Sequence, residues 1–283
     1  MNQLDINLEA MIKTFLEEDL GNGDHTSLAC IPEGAKGKAK VILKEKAVVA
    51  GLFLIEPIFK YLDPETKVTL LQNEGDLCSP YTDLAIVEGR TRTLLSGERL
   101  MLNLIQRMSG IATKTNMLQK LINPYGAKLL DTRKTVPGLR LLDKKAVAIG
   151  GGTNHRIGLY DMIMIKDNHV DYAGGIGPAI NNCLNYLDEN ALDIKIEVEA
   201  RNLEEVKEIM EFPEVFRILL DNFTPEKMEE AVRFIAGKKE TEASGGITEV
   251  NITEYARTGV NYISVGALTH SVKCTDISFK SVL

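Results

Sequence analysis

Tryptophan is absent from this chain of 283 residues, histidine and cysteine occur four times each, and no apolar run approaches bilayer length. The longest, Ala47 to Ile55, has nine members and includes a glycine, about half of what a spanning helix requires. A membrane span is therefore not expected. The cysteines (Cys30, Cys78, Cys183, Cys274) are scattered, and none forms a Cys-x-x-Cys or Cys/His metal spacing. They read as reduced thiols of a cytoplasmic enzyme without a zinc site. Met1-Asn2-Gln3-Leu4-Asp5 lacks the basic and apolar regions of a secretory leader. An excess of positive charge is missing too: 40 Asp+Glu stand against 33 Lys+Arg, a net charge of −7. That balance, with no recognition motif, argues against nucleic acid as a partner.

Against this acidic background one basic cluster stands out. Asp131-Thr132-Arg133-Lys134-Thr135, His155-Arg156 and Ile165-Lys166-Asp167-Asn168-His169 fall within about forty residues, beside apolar runs or glycine-rich loops. Such a cluster suggests a pocket for a small, multiply anionic ligand.

The length allows one large domain or two ordinary ones, and the two halves follow different patterns. From Lys38 to about Leu95 short alternating runs predict strands, punctuated by Gly51, Gly75 and Gly89. Lys36, Lys38 and Lys40 would share one solvated strand face. A helix is predicted from Ser96-Gly97-Glu98 onward, because Met101, Leu104, Ile105, Met108 and Ile111 recur at helical spacing and Ser96 or Gly97 can cap.

After Asn123-Pro124-Tyr125-Gly126, short apolar runs end repeatedly in a polar residue or glycine. The run ends are Asp131, Lys166, Glu199, Asp221, Ser244-Gly245-Gly246 and Gly266. Amphipathic segments separate the runs; Thr224-Pro225-Glu226 places a capping hydroxyl before a proline at the first helical position. The alternation predicts parallel βαβ units, with six strands between about residues 127 and 267. An incomplete α/β barrel is the first choice and an open doubly wound sheet the second. Both carry functional groups at the carboxyl ends of their strands, where all these polar residues fall.

Arginine forks suit carboxylates and phosphates bidentately, and lysines suit them as point charges. Ser244-Gly245-Gly246, expected between a strand and a helix, offers bare backbone N–H groups to a phosphate. Glu199 and Asp221 suit Mg²⁺ or sugar hydroxyls. Glu197 shares a strand face with Glu199, so one of the two could act only in support. Gly150-Gly151-Gly152 lacks dinucleotide-fingerprint spacing and reads as a helix end. The whole suits a phosphorylated sugar with a carboxylated partner. A Schiff-base aldolase using Lys166 is an alternative, but it leaves Arg133 and Arg156 without a task.

Three segments carry a resemblance to a known family: Asp131 through Arg140, Gly150 through Leu159, and Ile165-Lys166-Asp167-Asn168-His169. Further matches are Glu17 through Gly21, Ser96-Gly97-Glu98-Arg99, Ser109 through Thr113, Leu219-Leu220-Asp221-Asn222, Ser244-Gly245-Gly246 and Gly266 through Ser271. Together they resemble quinolinate phosphoribosyltransferases, with small departures at Arg107 and Val136. The resemblance implies an N-terminal α/β sandwich domain over residues 1–103, with the tail 271–283 packing back on it. It also implies an open, seven-stranded α/β barrel over 104–270, and a homodimer or larger assembly with shared active sites. By position it implies quinolinate binding by Arg99, Arg133, His155, Arg156 and Lys166, with Lys134 near quinolinate or pyrophosphate. Glu199 and Asp221 fall on the ribose and Mg²⁺ side, and Ser244, Gly245 and Gly266 form the 5′-phosphate cradle. Lys134, Lys166, Glu199 and Asp221 would be the catalytic set. The implied reaction joins quinolinate to phosphoribosyl pyrophosphate with loss of pyrophosphate and CO2, giving nicotinate mononucleotide for NAD synthesis. It uses Mg²⁺ and no organic cofactor. Molybdenum-transport-associated homologues are a further alternative; they would be expected to lack part of the dicarboxylate-binding group, which here is present.

Overall fold

Alternation along the sequence governs the first strand: Ala39, Val41 and Leu43 are buried, while Lys36, Lys38 and Lys40 fall on the other face. The computed structural model describes residues 7–282; residues 1–6, which bear the reading of a missing leader, and residue 283 lie outside them. In chain order the strands among the described residues are β1 (Lys36–Leu43), β2 (Ala47–Val48), β3 (Lys67–Leu70), β4 (Leu77–Cys78), β5 (Asp83–Arg90), β6 (Lys128–Leu130), β7 (Ile163–Ile165), β8 (Ile196–Ala200), β9 (Val215–Asp221), β10 (Glu240–Ser244), β11 (Tyr262–Ser264) and β12 (Ile277–Val282). The chain divides into two compact units. One takes the residues up to Asn116, Leu141–Gly151 and those from Ser271; the other takes Met117–Arg140 and Gly152–His270.

The first unit is built on an antiparallel sheet in the order β12-β1-β5-β3. β1 pairs with β5 on one side and with β12 on the other, so late residues lie beside early ones: Leu43 opposite Ile277, Lys38 opposite Val282. The outer lysines have partners, Lys38 with Glu88 at 3.0 Å and Lys40 with Asp83 at 2.5 Å. The inner face meets the helix Ile55–Leu62, where Ile58 and Phe59 are buried and Phe59 stacks on Phe279 at 5.8 Å between ring centroids. Each such side chain removed from water contributes about 1.5–3 kcal/mol, offset by the entropy of ordering the chain.

One boundary differs from the sequence reading. The helix expected at Ser96–Glu98 begins at Thr91, directly after β5, and runs to Ile122. Gly97 is therefore interior, not a cap. A Cβ there would stand 2.7 Å from Cε1 of Phe59, so the glycine lets the helix backbone approach that ring.

In the second unit six parallel strands lie in the order β6-β11-β10-β9-β8-β7, and Thr153 adds a one-residue parallel bridge to Leu130 on the free side of β6. The earliest barrel strand thus pairs with the latest, as in a barrel, and among the described residues the ring of neighbours breaks between Thr153 and β7. A distance shows that the sheet curls. His155 follows Thr153, five strand steps from β8 through the ladder, which in a flat sheet is about 24 Å at 4.8 Å per step. Yet Nε2 of His155 is 3.0 Å from Glu197 on β8. The unit is an open α/β barrel of six strands plus this bridge in the seventh place. β8 is buried along its whole length, as expected of a parallel strand covered on both faces. Outside it, Val206, Ile209, Met228, Ala231 and Ile235 of the helices Leu203–Ile209 and Pro225–Ile235 are buried. Thr224 caps the second helix ahead of Pro225, accepting from Lys227 N, as its sequence signature predicts.

Candidate active site

Every strand of the barrel points alternate residues inward, and the ladder sets them in tiers. Glu240 pairs with Arg217, Glu242 with Leu219, and Ser244 with Asp221; Glu197 pairs with Arg217 and Glu199 with Leu219. The upper tiers surround a hollow of about 330 Å³ lined by Asp131, Thr132, Arg133, Lys134, His155, Arg156, Met164, Lys166, Leu219, Glu242, Ser244 and Ser264.

Asp131, fully buried just past β6, anchors the loop opposite. Its Oδ1 accepts from the His155 N–H at 2.8 Å and its Oδ2 from Asn154 Nδ2 at 2.6 Å. A tight turn follows, in which Thr132 Oγ1 accepts from Lys134 N at 3.0 Å and Arg133 O from Thr135 N at 2.9 Å. This turn leaves Arg133 and Lys134 exposed at the mouth. Arg156 is held by donation from Nη1 to Met162 O at 3.2 Å. Partial burial, and then the nearby cation of Arg133, pull its pKa below the usual arginine value. Two guanidinium groups so placed oppose each other until an anion comes between them, and a dicarboxylate would relieve both. Across the hollow, Lys166 leaves the end of β7 with Nζ 3.2 Å from Glu199 Oε2.

Beneath the hollow lies a buried ionic floor. Nε2 of His155 is 3.0 Å from Glu197 and 3.3 Å from Glu242, between the two carboxylates. Arg217 Nη1 is 3.2 Å from Glu242 and 3.8 Å from Glu197, and its guanidinium stacks 4.2 Å from the Tyr262 ring centre. Burial works against a charged His155, but the pull of Glu197 and then Glu242 outweighs it and lifts the imidazole to about 9. Burial, then repulsion from Glu242, raises Glu197 to about 7. Burial opposes ionisation of Glu242 as well, yet His155 and Arg217 hold it below the usual carboxylate range. With one proton shared between His155 and Glu197, the four groups sum to zero charge wherever it sits. The floor therefore leaves the positive field of the rim intact.

His155, Glu197 and Glu242 offer three ligand-type atoms within 4.8 Å of one another. However, Nδ1 of His155 accepts from Arg156 N at 2.7 Å, which assigns the ring proton to Nε2, facing the carboxylates. A metal there would displace that proton and leave both nitrogens without one, and Arg217 already supplies countercharge. Hydrogen bonding describes the trio better than metal ligation.

Six of the residues singled out in the sequence thus line one hollow: Arg133, Lys134, His155, Arg156, Lys166 and Ser244. Glu199 joins them through Lys166, and Asp221 through its pairing with Ser244. Gly266 lies against Lys134, since a Cβ there would be 2.9 Å from the lysine Cδ. Gly245 and Gly246 follow Ser244 with φ of +95° and +62°. No helix opens directly behind them as the sequence suggested; the next begins at Ile252, after a turn in which Asn251 Oδ1 accepts from Thr248 N at 2.7 Å. Among the described residues neither glycine spends its N–H on another backbone carbonyl. Arg99 is not among the lining residues; it is exposed on the helix Thr91–Ile122, in the first unit.

Two family models match this chain in succession: the quinolinate phosphoribosyl transferase N-terminal domain over residues 24–109 and the C-terminal domain over 111–280. The chain belongs to the quinolinate phosphoribosyltransferase family. A mitochondrial quinolinate phosphoribosyltransferase [decarboxylating] 2b of Nicotiana tabacum is 45% identical over 288 residues, covering 96% of this chain and 82% of that protein. A probable nicotinate-nucleotide pyrophosphorylase [carboxylating] of Bacillus subtilis is 41% identical over 284 residues, covering 100% and 96%. The crystal structure of NadC from Streptococcus pyogenes superposes with a TM-score of 0.92 at 33% identity, covering 99% of this chain and 98% of that one.

Of the floor, the sequence reading singled out His155 and gave Glu197 a supporting role, but it missed Glu242 and Arg217. Arg217 precedes the apolar run Ile218-Leu219-Leu220 and looks like surface there. Alternation back from Asp221 through Leu219 was the signal that places it inside the barrel.

Proposed function

We propose that this family member is a pentosyltransferase that joins quinolinate to phosphoribosyl pyrophosphate and releases pyrophosphate and CO2. The observation that carries the reading is the convergence of Arg133, Lys134, Arg156 and Lys166 on one hollow whose carboxylates are already spent. Asp131 is committed to its loop, and Glu242 to His155 and Arg217. A net positive, partly shielded pocket of this kind is complementary to a pyridine dicarboxylate beside an activated sugar diphosphate.

In this reading Arg133 and Arg156 clamp the two carboxylates and Lys166 completes the grip, oriented by Glu199. His155 has both ring nitrogens committed within the protein, so it serves by fixing the Arg156 peptide. The ring nitrogen of quinolinate attacks the anomeric carbon while the bond to pyrophosphate breaks; pyrophosphate leaves with the Mg²⁺ that entered with it. Alignment of the reactants and charge stabilisation supply most of the acceleration. The new pyridinium withdraws electrons from the C2 carboxylate, CO2 departs, and a proton replaces it at C2, giving nicotinate mononucleotide. Lys134 lies where it can meet the departing pyrophosphate. Glu199 and Asp221 offer the oxygen ligands that a hydrated Mg²⁺ accepts, and they suit ribose hydroxyls equally. Ser244, Gly245 and Gly266 present small side chains or bare backbone to the 5′-phosphate. No step calls for an organic cofactor. A second copy of the chain would complete the site with its Arg99.

A Schiff-base role for Lys166 is disfavoured because its ammonium is partnered by Glu199 and because it explains neither arginine. No described helix is long and apolar enough to cross a membrane, and the four cysteines are free; we place the activity in the cytoplasm. Incubation with quinolinate, phosphoribosyl pyrophosphate and Mg²⁺ should release pyrophosphate and CO2 in equal amounts. Nicotinate as acceptor should give neither; turnover of nicotinate alone would reject the assignment.

A further inference from the structure

At the carboxyl end of β9, Asn222 has a backbone of its own kind. Its φ is +55°, a left-handed conformation that asparagine tolerates better than most residues with a side chain. Its N–H donates to Ser244 O at 2.9 Å, which carries the β9–β10 pairing one residue beyond the Asp221–Ser244 pair. The left-handed turn then folds the side chain back between the two strand ends. Nδ2 donates to Asp221 Oδ2 at 2.5 Å. Oδ1 occupies the ground above Gly245, where a Cβ would come within 2.2 Å of it. One side-chain amide therefore restrains a carboxylate on β9 and excludes any side chain from the first residue after β10.

We infer that Asn222 is the positioning residue for the phosphoribosyl pyrophosphate half of the site. It orients Asp221, on the ribose and Mg²⁺ side, and sets the path of the Ser244–Gly245 backbone, on the 5′-phosphate side, as one rigid pair. Asp221 spends one oxygen on the amide and keeps the other for the ligand. Nothing in this arrangement touches Arg133, Arg156 or Lys166, so the quinolinate half is independent of it. The inference rests on the function proposed above and adds a determinant that acts through other groups.

The discriminating variant is Asn222→Gly. Glycine adopts φ of +55° without strain and keeps the backbone bond to Ser244, so only the amide is lost. Hydrogen bonds to charged groups set the scale: KM for phosphoribosyl pyrophosphate should rise about tenfold or more. Its dissociation constant measured calorimetrically with Mg²⁺ should rise in parallel. Quinolinate binding, titrated without the second substrate, and the melting temperature should stay near wild type. Asn222→Asp keeps the shape but sets a second carboxylate against Asp221, and should weaken phosphoribosyl pyrophosphate at least as much. Equal losses for both substrates, or an unchanged KM for phosphoribosyl pyrophosphate in an active Asn222→Gly enzyme, would overturn the inference. A wild-type protein that binds neither substrate would instead bring down the functional reading and this inference with it.

Discussion

Arg217 on β9 places Nη1 3.2 Å from the Glu242 carboxylate on the neighbouring strand, with 8% and 1% of the two side chains exposed. The pair lies under the hollow and supports it. Removing one member of a buried ion pair leaves the other charge uncompensated in a poorly polarisable interior.

Arg217→Met should therefore destabilise the barrel by about 3–5 kcal/mol, measured by urea unfolding. Glu204→Ala, which breaks the exposed pair with Lys207, is the control and should leave stability unchanged. Equal effects of the two substitutions would show that the floor carries no special weight.

His155 supplies a pH signature. Its pKa is raised from 6.5 to about 9 in the folded chain, so the native state holds the extra proton more tightly than the unfolded one. The associated stability is complete below about pH 6.5 and fades as pH rises to about 9. The span sets an upper bound of about 3 kcal/mol; the Arg156 amide donates to Nδ1 only in the neutral ring, so taking up the extra proton gives up that bond and the loss stays below the bound. Melting temperatures across that window should fall in the wild type and flatten in His155→Gln; parallel curves would rule out this source.

Arg133→Ala and Arg156→Ala should each weaken quinolinate by about 2–5 kcal/mol, the usual range for truncating one partner of a buried charge pair. Phosphoribosyl pyrophosphate should be affected far less. Direct titration of each ligand separates the two effects, and similar small losses for both would remove the arginines from the dicarboxylate clamp.

Arg99 tests the shared site. If a second copy donates it, mixing inactive Arg99→Ala with inactive Lys166→Ala subunits should regenerate one intact site per heterodimer. Activity that stays at background after verified subunit exchange would confine each site to a single chain.

Much of this architecture was legible because parallel strands end in the residues that matter. Asp131, Lys166, Glu199 and Asp221 each close an apolar run, Ser244 opens the small-residue stretch Ser244-Gly245-Gly246, and the structure sets all of them at one end of the barrel. The strand count of six also follows from the runs. The seventh position was invisible: a single bridged residue, Thr153, has no hydrophobic pattern of its own. Gly97 misled because a glycine before a helical run resembles a cap, whereas here it serves a close approach to Phe59. Glu242 and Arg217 were hidden for a different reason. Charged residues along a strand ordinarily signal a solvated face, and only mutual neutralisation lets this strand interior be ionic.

The barrel sheet and the four-stranded sheet both unite distant parts of the chain: β6 finds its neighbour in β11, and β1 finds one in β12. The ring cannot close until β11 has been made, because the partner of the first barrel strand lies more than 130 residues after it. Contacts so far apart in sequence form slowly. A fragment ending before residue 262 would lack β11, leave the β6 edge without that partner and keep the barrel from closing there.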